Sequence, residues 1–209
     1  MAKLSDLLTR VHDELPAVPE SLALRALSDA AKEFCTRTHA WQVSLPRISL
    51  REGKDTYDLY PDEGTQVVAL TDVRLDGKKI DPIPAELVHT SANTPAPGPV
   101  TCFTQTTPTT VTVVRMPDSA DRLDVRAAMT LVREATAVDV PDTILDEYGE
   151  GIAAGAKMRL TRMAAQVWSA PDLAVGYAGL FYGAIAQAKS RVRSALGEAE
   201  MQMTMRNWA

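Results

Sequence analysis

Residues 141–197 read PDTILDEYGEGIAAGAKMRLTRMAAQVWSAPDLAVGYAGLFYGAIAQAKSRVRSALG, and the rest of the chain is placed around them. Apolar side chains at Leu145, Tyr148, Ile152, Ala156, Leu160, Met163 and Val167 recur every three or four residues, the period of a helix face and not of a strand. Proline pre-sets the first turn at Pro141, and Asp142, Asp146 and Glu147 suit the positive end of the helix dipole. The pattern breaks at Trp168. There Ser169 and Asp172 have the spacing of a capping box and Pro171 fits a first turn, which predicts a second helix. That helix carries Leu173, Tyr177, Leu180, Phe181, Ala184, Ala188 and Val192 on one side, and it stops at Gly197, the residue that best tolerates a left-handed cap. Gly151, Gly155, Gly176, Gly179 and Gly183 lower helix propensity but permit close approach, so the two helices are predicted to pack tightly as a hairpin.

Upstream, Ser5 and Asp6 read as the cap and first turn of a short helix with Leu4, Leu7, Leu8, Val11 and Leu15 on its apolar side, ended by Pro16. A longer helix is predicted from Pro19 to about His39, with Leu24, Leu27, Ala31, Phe34 and Thr38 on one face and Trp41 at its exit. Neither stripe can be buried alone, and the late hairpin is the partner at hand. The two ends of the chain are therefore expected to form one bundle.

Between them the period changes to two. Strands are predicted at 43–50, 56–59, 67–75, 79–83, 100–104, 110–115 and 123–132, with a type I′ hairpin at Asp76-Gly77, where both positions require positive φ. In the last strand Leu123, Val125, Ala127, Met129 and Leu131 alternate with Asp124, Arg126, Ala128 and Thr130, which predicts one buried face and one wet face. The proline-rich stretch between His89 and Pro99 cannot continue a ladder and reads as an exposed loop. The expected fold is α+β, a helical bundle formed by N- and C-terminal helices with an inserted antiparallel β module. Its divisions are residues 1–41 (N-terminal helices), 42–140 (β module), 141–197 (C-terminal hairpin) and 198–209 (a C-terminal arm).

Composition restricts function. The chain has 209 residues, is 45% hydrophobic and carries a net charge of -5, a balance that argues against a duplex-coating protein. The acidic surplus lies in residues 42–142, with 15 acidic against 10 basic side chains. Cys35 and Cys102 lack paired spacing and read as small buried groups, which favours a reducing compartment. No apolar run reaches the length of a membrane span, and the amphipathic N-terminus is unlike a secretion signal.

No catalytic constellation is evident. His12, His39 and His89 have neither metal-ligand spacing nor a nucleophile partner. Residues 149–154 match G-x-G-x-x-A, yet they fall inside a helical pattern with no strand feeding it and read as a packing motif. The carboxylates Asp139, Asp142, Asp146, Glu147 and Glu150 are explained by a helix start. Lys189, Arg191 and Arg193 suit the negative end of the last helix and could equally pair with carboxylates or phosphates on a partner. In the tail, Met201, Met203 and Met205 alternate with polar residues before Arg206 and Trp208, so an extended conformation would gather the methionines on one face. Such a tail either folds back on its own bundle or orders on a partner as an arm.

Several strings carry a resemblance. They are Leu15-Pro16 before Pro19-Glu20-Ser21-Leu22, then Ala31 to Cys35 followed by Trp41, then Arg74 to Gly77, then Val140-Pro141 with Tyr148 and Ile152 to Ala156, then Val167 to Pro171. In this order, over nearly the whole chain, they resemble a bacteriophage head-to-tail connector family, the adaptor proteins that form a ring beneath the portal. Relatives often have a glycine-containing turn where this chain has Ala164-Ala165-Gln166. The resemblance implies a virion structural protein of the head-tail junction, made in the bacterial host cytoplasm, without enzymatic activity or cofactor. It implies a homo-oligomeric ring, a dodecamer, between the portal protein and tail-side connector, nozzle or fibre proteins. DNA would pass through the lumen without specific binding, and no membrane is involved. It also points to Met201, Met203, Met205, Arg206 and Trp208 as a portal-binding arm. The alternative is a helical binding or regulatory module, DNA-associated, monomeric or dimeric; a hydrolase ranks behind both.

Overall fold

A computed structural model describes residues 2–88, 98–115, 117–118, 120–132 and 139–195. Strand β1 (Ala2–Lys3) leads into a 3-10 turn (Leu4–Leu7) and the short helix α1 (Leu8–His12). The cap differs from expectation: Asp6 reaches back to accept the Lys3 backbone N–H at 3.1 Å, so Lys3 and not Ser5 begins the turn. Leu4, Leu7 and Val11 are buried as the period requires. Helix α2 (Glu20–Thr38) starts after Pro19 and buries Ala23, Leu27, Ala30, Ala31, Phe34 and Cys35. His39 ends it in the left-handed region at φ 55.

The β region holds two sheets. In the first, β5 (Thr65–Leu75) and β10 (Arg122–Leu131) run antiparallel from Leu123 opposite Leu75 to Leu131 opposite Thr65. Strands β2 (Gln42–Ser44) and β3 (Ile48–Ser49) take the other edge of β10, and β6 (Lys78–Lys79) closes a hairpin on β5. The strand expected at 43–50 is thus two pieces, interrupted around Pro46, which has no N–H to give a ladder. The hairpin turn is as expected, with φ 46 at Asp76 and 85 at Gly77. The second sheet has the order β4 (Thr56–Asp58), β9 (Thr110–Val114), β8 (Cys102–Thr107), β7 (Asp81–Pro82). Its β7–β8 pair is parallel, so the module is not purely antiparallel. Strand β11 (Asp139–Val140) pairs with β1 and ties the end of the β region to the start of the chain.

The alternation in β10 holds only in its first half. Asp124 is half-buried and Arg126 exposed, but Ala128 and Thr130 are both buried. Helix α2 covers that end: the Thr130 hydroxyl donates to the Lys32 carbonyl at 3.0 Å and accepts from the Thr36 hydroxyl at 3.1 Å. Small residues at 128 and 130 are what allow a helix onto a second face of the strand.

Helix α3 (Asp142–Thr161) follows Pro141, and α4 (Pro171–Ala195) returns antiparallel to it. Ile144, Leu145, Tyr148, Ile152, Ala156 and Leu160 are buried. Helix α3 ends two turns earlier than its apolar pattern, leaving Met163 half-buried and Val167 90% exposed in the connection. Because α4 begins at Pro171, Ala170 occupies the cap position predicted for Ser169. Ala165 holds the connection at φ 59. A continuous core runs from Leu4 and Phe34 through Val67 and Leu123 to Ile152 and Phe181, which makes the fold α+β. No described helix is long and apolar enough to cross a membrane.

Candidate functional site

The inner face of the hairpin is complete. A Cβ on Gly155 would lie 2.7 and 2.8 Å from the Phe181 ring and 3.1 Å from Ala30, and a Cβ on Gly151 would collide with the methyl of Ala184. The G-x-G-x-x-A match is thereby accounted for, since Gly149 lies against Leu7 and Gly151 against α4 within α3. Polar clamps frame this packing. Glu14 accepts from Lys157 Nζ at 2.5 Å and from the Tyr177 hydroxyl at 2.5 Å, joining the α1–α2 loop to both hairpin helices. The Lys157 hydrogen bond, with help from Tyr177, holds the Glu14 carboxyl below its ordinary range. Burial, with Glu14 alongside, pushes the Tyr177 phenol up to about 12. Glu33 pairs with Arg159 and with Arg37, the latter at 3.2 Å.

The outer face of α4 is a different surface. Gly176, Gly179 and Gly183 have nothing within 4 Å of where a Cβ would be. They form a smooth strip on the side opposite Phe181, with Val175 and Tyr182 along one margin and Leu173 and Leu180 along the other. The buried side carries Ala174, Phe181, Ile185 and Ala188, which corrects the placement of Leu173 and Leu180 on it. Among the described residues eight large apolar side chains are exposed, and Val167, Leu173, Val175, Leu180 and Tyr182 make up five of them within sixteen residues of chain. Scattered exposed leucines need no account, but a grouped set on one helix marks a contact surface. Arg37 stacks over Tyr182 at 5.3 Å from the ring centre and gives that margin a cation. Next to Val167, the indole N–H of Trp168 is shut away from solvent without an acceptor among the described residues.

The basic cluster divides. Arg191 donates to Glu147 at 2.8 Å and closes the open end of the hairpin. Lys189 lies near His39, whose pKa is lowered by burial and by that ammonium. Arg193 is exposed and makes no ion pair among the described residues. Asp146 and Glu150 on α3 are exposed, Glu150 lying 3.9 Å from Arg10. Cys35 is buried as expected, and burial pushes its thiol up to about 12. No cluster of candidate metal ligands is present among the described residues. Met201, Met203, Met205, Arg206, Trp208, the Gly197 stop, His89 and residues 90–97 of the proline-rich loop lie outside the described residues.

A helical scaffold that carries an inserted β module and one broad apolar helix face has the make-up of a subunit that meets other proteins through that face. The chain belongs to the SU10 adaptor protein family, whose sequence model matches residues 2–206. That makes it a bacteriophage adaptor, a structural protein and virion component of a family that is typically non-enzymatic and acts through portal and tail proteins. No curated protein matches the chain.

Proposed function

We propose that the protein forms a ring of twelve copies at the head-tail junction, seated on the portal and holding the tail-side connector, nozzle or fibre proteins. DNA passes through its lumen unread. The observation that carries this reading is the outer face of α4, where three glycines border open space and Leu173, Val175, Leu180 and Tyr182 are exposed. A neighbouring copy laid on that strip would bury it and let backbones approach closely, and a contact between unlike surfaces closes into a ring when its rotation allows. The net charge of -5 suits a lumen that must not retain a polyanion. Residues 198–209, with Met201, Met203, Met205, Arg206 and Trp208, act as the arm that enters the portal, where methionine adapts to an irregular groove. Lys189 and Arg193 flank the start of that arm as portal or inter-subunit contacts. The β module, bearing the acidic surplus, faces the tail-side partners, to which the loop between His89 and Pro99 contributes.

The test is mass in solution with and without purified portal rings. The parent chain is expected to join the portal as a twelve-copy complex. Removal of residues 199–209 is expected to leave secondary structure and melting temperature nearly unchanged while abolishing portal association. A truncated chain that binds the portal with parental affinity would remove the arm from the reading. A parent that stays a compact dimer and shifts a DNA band would replace the reading with that of a regulatory module.

A further inference from the structure

On the wet side of β10 a cavity of about 370 Å³ opens between arginine walls. Leu45 and Val125 also line it, but their side chains belong to the buried core face, so the open walls are polar. In the ladder Arg126 lies opposite Asp72 on β5 and Ser44 on β2, while Asp124 lies opposite Arg74. The carboxylates are already engaged: Asp124 accepts from Arg47 at 2.6 Å and Asp72 from Arg74 at 2.8 Å. Arg126 has no ion-pair partner among the described residues, so three guanidinium groups face two carboxylates. A guanidinium left without an ion pair accepts an aromatic ring flanked by an acid, since arginine both stacks on rings and grips carboxylates.

The same chain carries that counterpart. Tyr60 is 68% exposed, and Asp62 and Glu63 beside it are exposed without an ion pair among the described residues. The loop is held in shape, because the Asp62 carbonyl accepts the Thr65 N–H at 3.1 Å and the Thr65 hydroxyl at 2.7 Å, and Gly64 turns it at φ 77. A preset loop loses little entropy on docking. Loop and cavity lie at opposite ends of β5. From Thr65 to Asp72 the strand extends about 23 Å, out of reach for a loop anchored at Thr65.

We infer that the Tyr60–Glu63 loop of one copy inserts into the arginine cavity of the next copy, with the Tyr60 ring stacked on its arginine wall and a carboxylate of Asp62 or Glu63 on Arg126. Knob and hole on opposite ends of one strand make a head-to-tail contact, which one copy cannot satisfy alone. Tyrosine and arginine are the residue types that anchor protein interfaces. The inference rests on the ring reading and adds to it a second belt of contacts, in the β module.

The experiment compares the parent chain with Tyr60→Ala, Arg126→Glu, Glu63→Arg and the Arg126→Glu/Glu63→Arg double variant. Ring formation with and without portal is read by mass photometry, and monomer melting is checked in parallel. Tyr60 and Glu63 are exposed, so melting should not move in their single variants, whereas Arg126→Glu sets a carboxylate opposite Asp72 and its assembly is compared at temperatures well below its own melting. Each single variant is expected to weaken assembly about tenfold, and the charge-exchanged double variant to regain most of it. Rings from Tyr60→Ala and Arg126→Glu at the parental concentration would overturn the contact while leaving the ring reading intact. A double variant as weak as its parents would overturn the pairing. Normal rings that fail to take up a tail-side protein would assign the cavity to that protein instead. A parent chain that forms no ring under any condition would overturn ring and contact together.

Discussion

Helices α3 and α4 are both rich in glycine, and the two sets do different work. Gly151 and Gly155 in α3 are filled from outside by Ala184, Phe181 and Ala30, so each glycine is the space its neighbour occupies. Gly176, Gly179 and Gly183 in α4 border open space. Glycine lowers helix stability by about 1 kcal/mol relative to alanine. In α3 that cost is offset by the burial of Phe181 and Ile152, worth about 1.5–3 kcal/mol each. In α4, roughly 3 kcal/mol for its three outward glycines has no offset inside one chain. Composition alone does not separate packing within a subunit from packing between subunits; the location of the neighbouring atoms does.

The largest expected effect tests the filled side of this contrast. Gly155→Leu should destabilise the monomer by about 3 kcal/mol in denaturant titration, because Phe181 and Ala30 leave no room for even a Cβ. Gly179→Leu, by contrast, should leave the monomer as stable or about 0.5–1 kcal/mol more stable through helix propensity, and should impair ring formation. Equal losses in both variants would break the contrast.

The polar clamp beside the filled face gives the next effect. Lys157→Met should cost about 1–2 kcal/mol at pH 7, since Glu14 and Tyr177 lose the cation between them. The pH profile sharpens this. Glu14 has a folded pKa below its unfolded value of 4.5, so its contribution is present above that pH and is lost as pH falls through the lowered value. Tyr177 has a folded pKa near 12 against 10.0 unfolded, so its contribution is present below pH 10.0 and is lost as pH rises to about 12. Lys157→Met should flatten the acid limb, because the first cause of the Glu14 shift is gone. An unchanged acid limb would show that the clamp does not hold the hairpin.

The smallest effect has the opposite sign. Ala165→Gly should stabilise the chain by about 1 kcal/mol, as the left-handed φ 59 strains an alanine and not a glycine. A lower melting temperature in this variant would mean that the connection gains more from restricting the unfolded chain than it loses to strain.

Much of this was legible from residues, for stated reasons. The helical period from Leu145 to Leu160, the Pro141 start and the Asp76-Gly77 turn depend on local chemistry, and the structure has them where they were read. Ser5 and Ser169 had the right type for caps, yet Lys3 and Ala170 hold the cap positions, because a cap depends on where the first turn actually closes. Leu173 and Leu180 were read as buried because apolar stripes are presumed to face inward, while Ala174, Ile185 and Ala188 form a second stripe that α3 selects. Nothing within β10 signals that α2 covers Ala128 and Thr130; only their small size is suggestive. The arginine cavity was invisible in sequence, since Arg74 and Arg126 meet through ladder register and Arg47 joins them through its bond to Asp124. Its one signal was the alternation that set Asp124 and Arg126 on the wet face.

The insertion of the β module also sets a timetable. Helix α2 packs on β10 and on α3, but 103 residues separate its last residue, Thr38, from Asp142. At the usual rate of synthesis, about 5–20 residues per second, its apolar side waits roughly 5–20 s for α3 to leave the ribosome. During that interval β10 arrives first, and Thr130 offers Lys32 and Thr36 a provisional dock. Leu131 precedes Asp142 by only 11 positions, so the central strand and α3 reach the waiting helix almost together, and for most of the delay its apolar side stands uncovered.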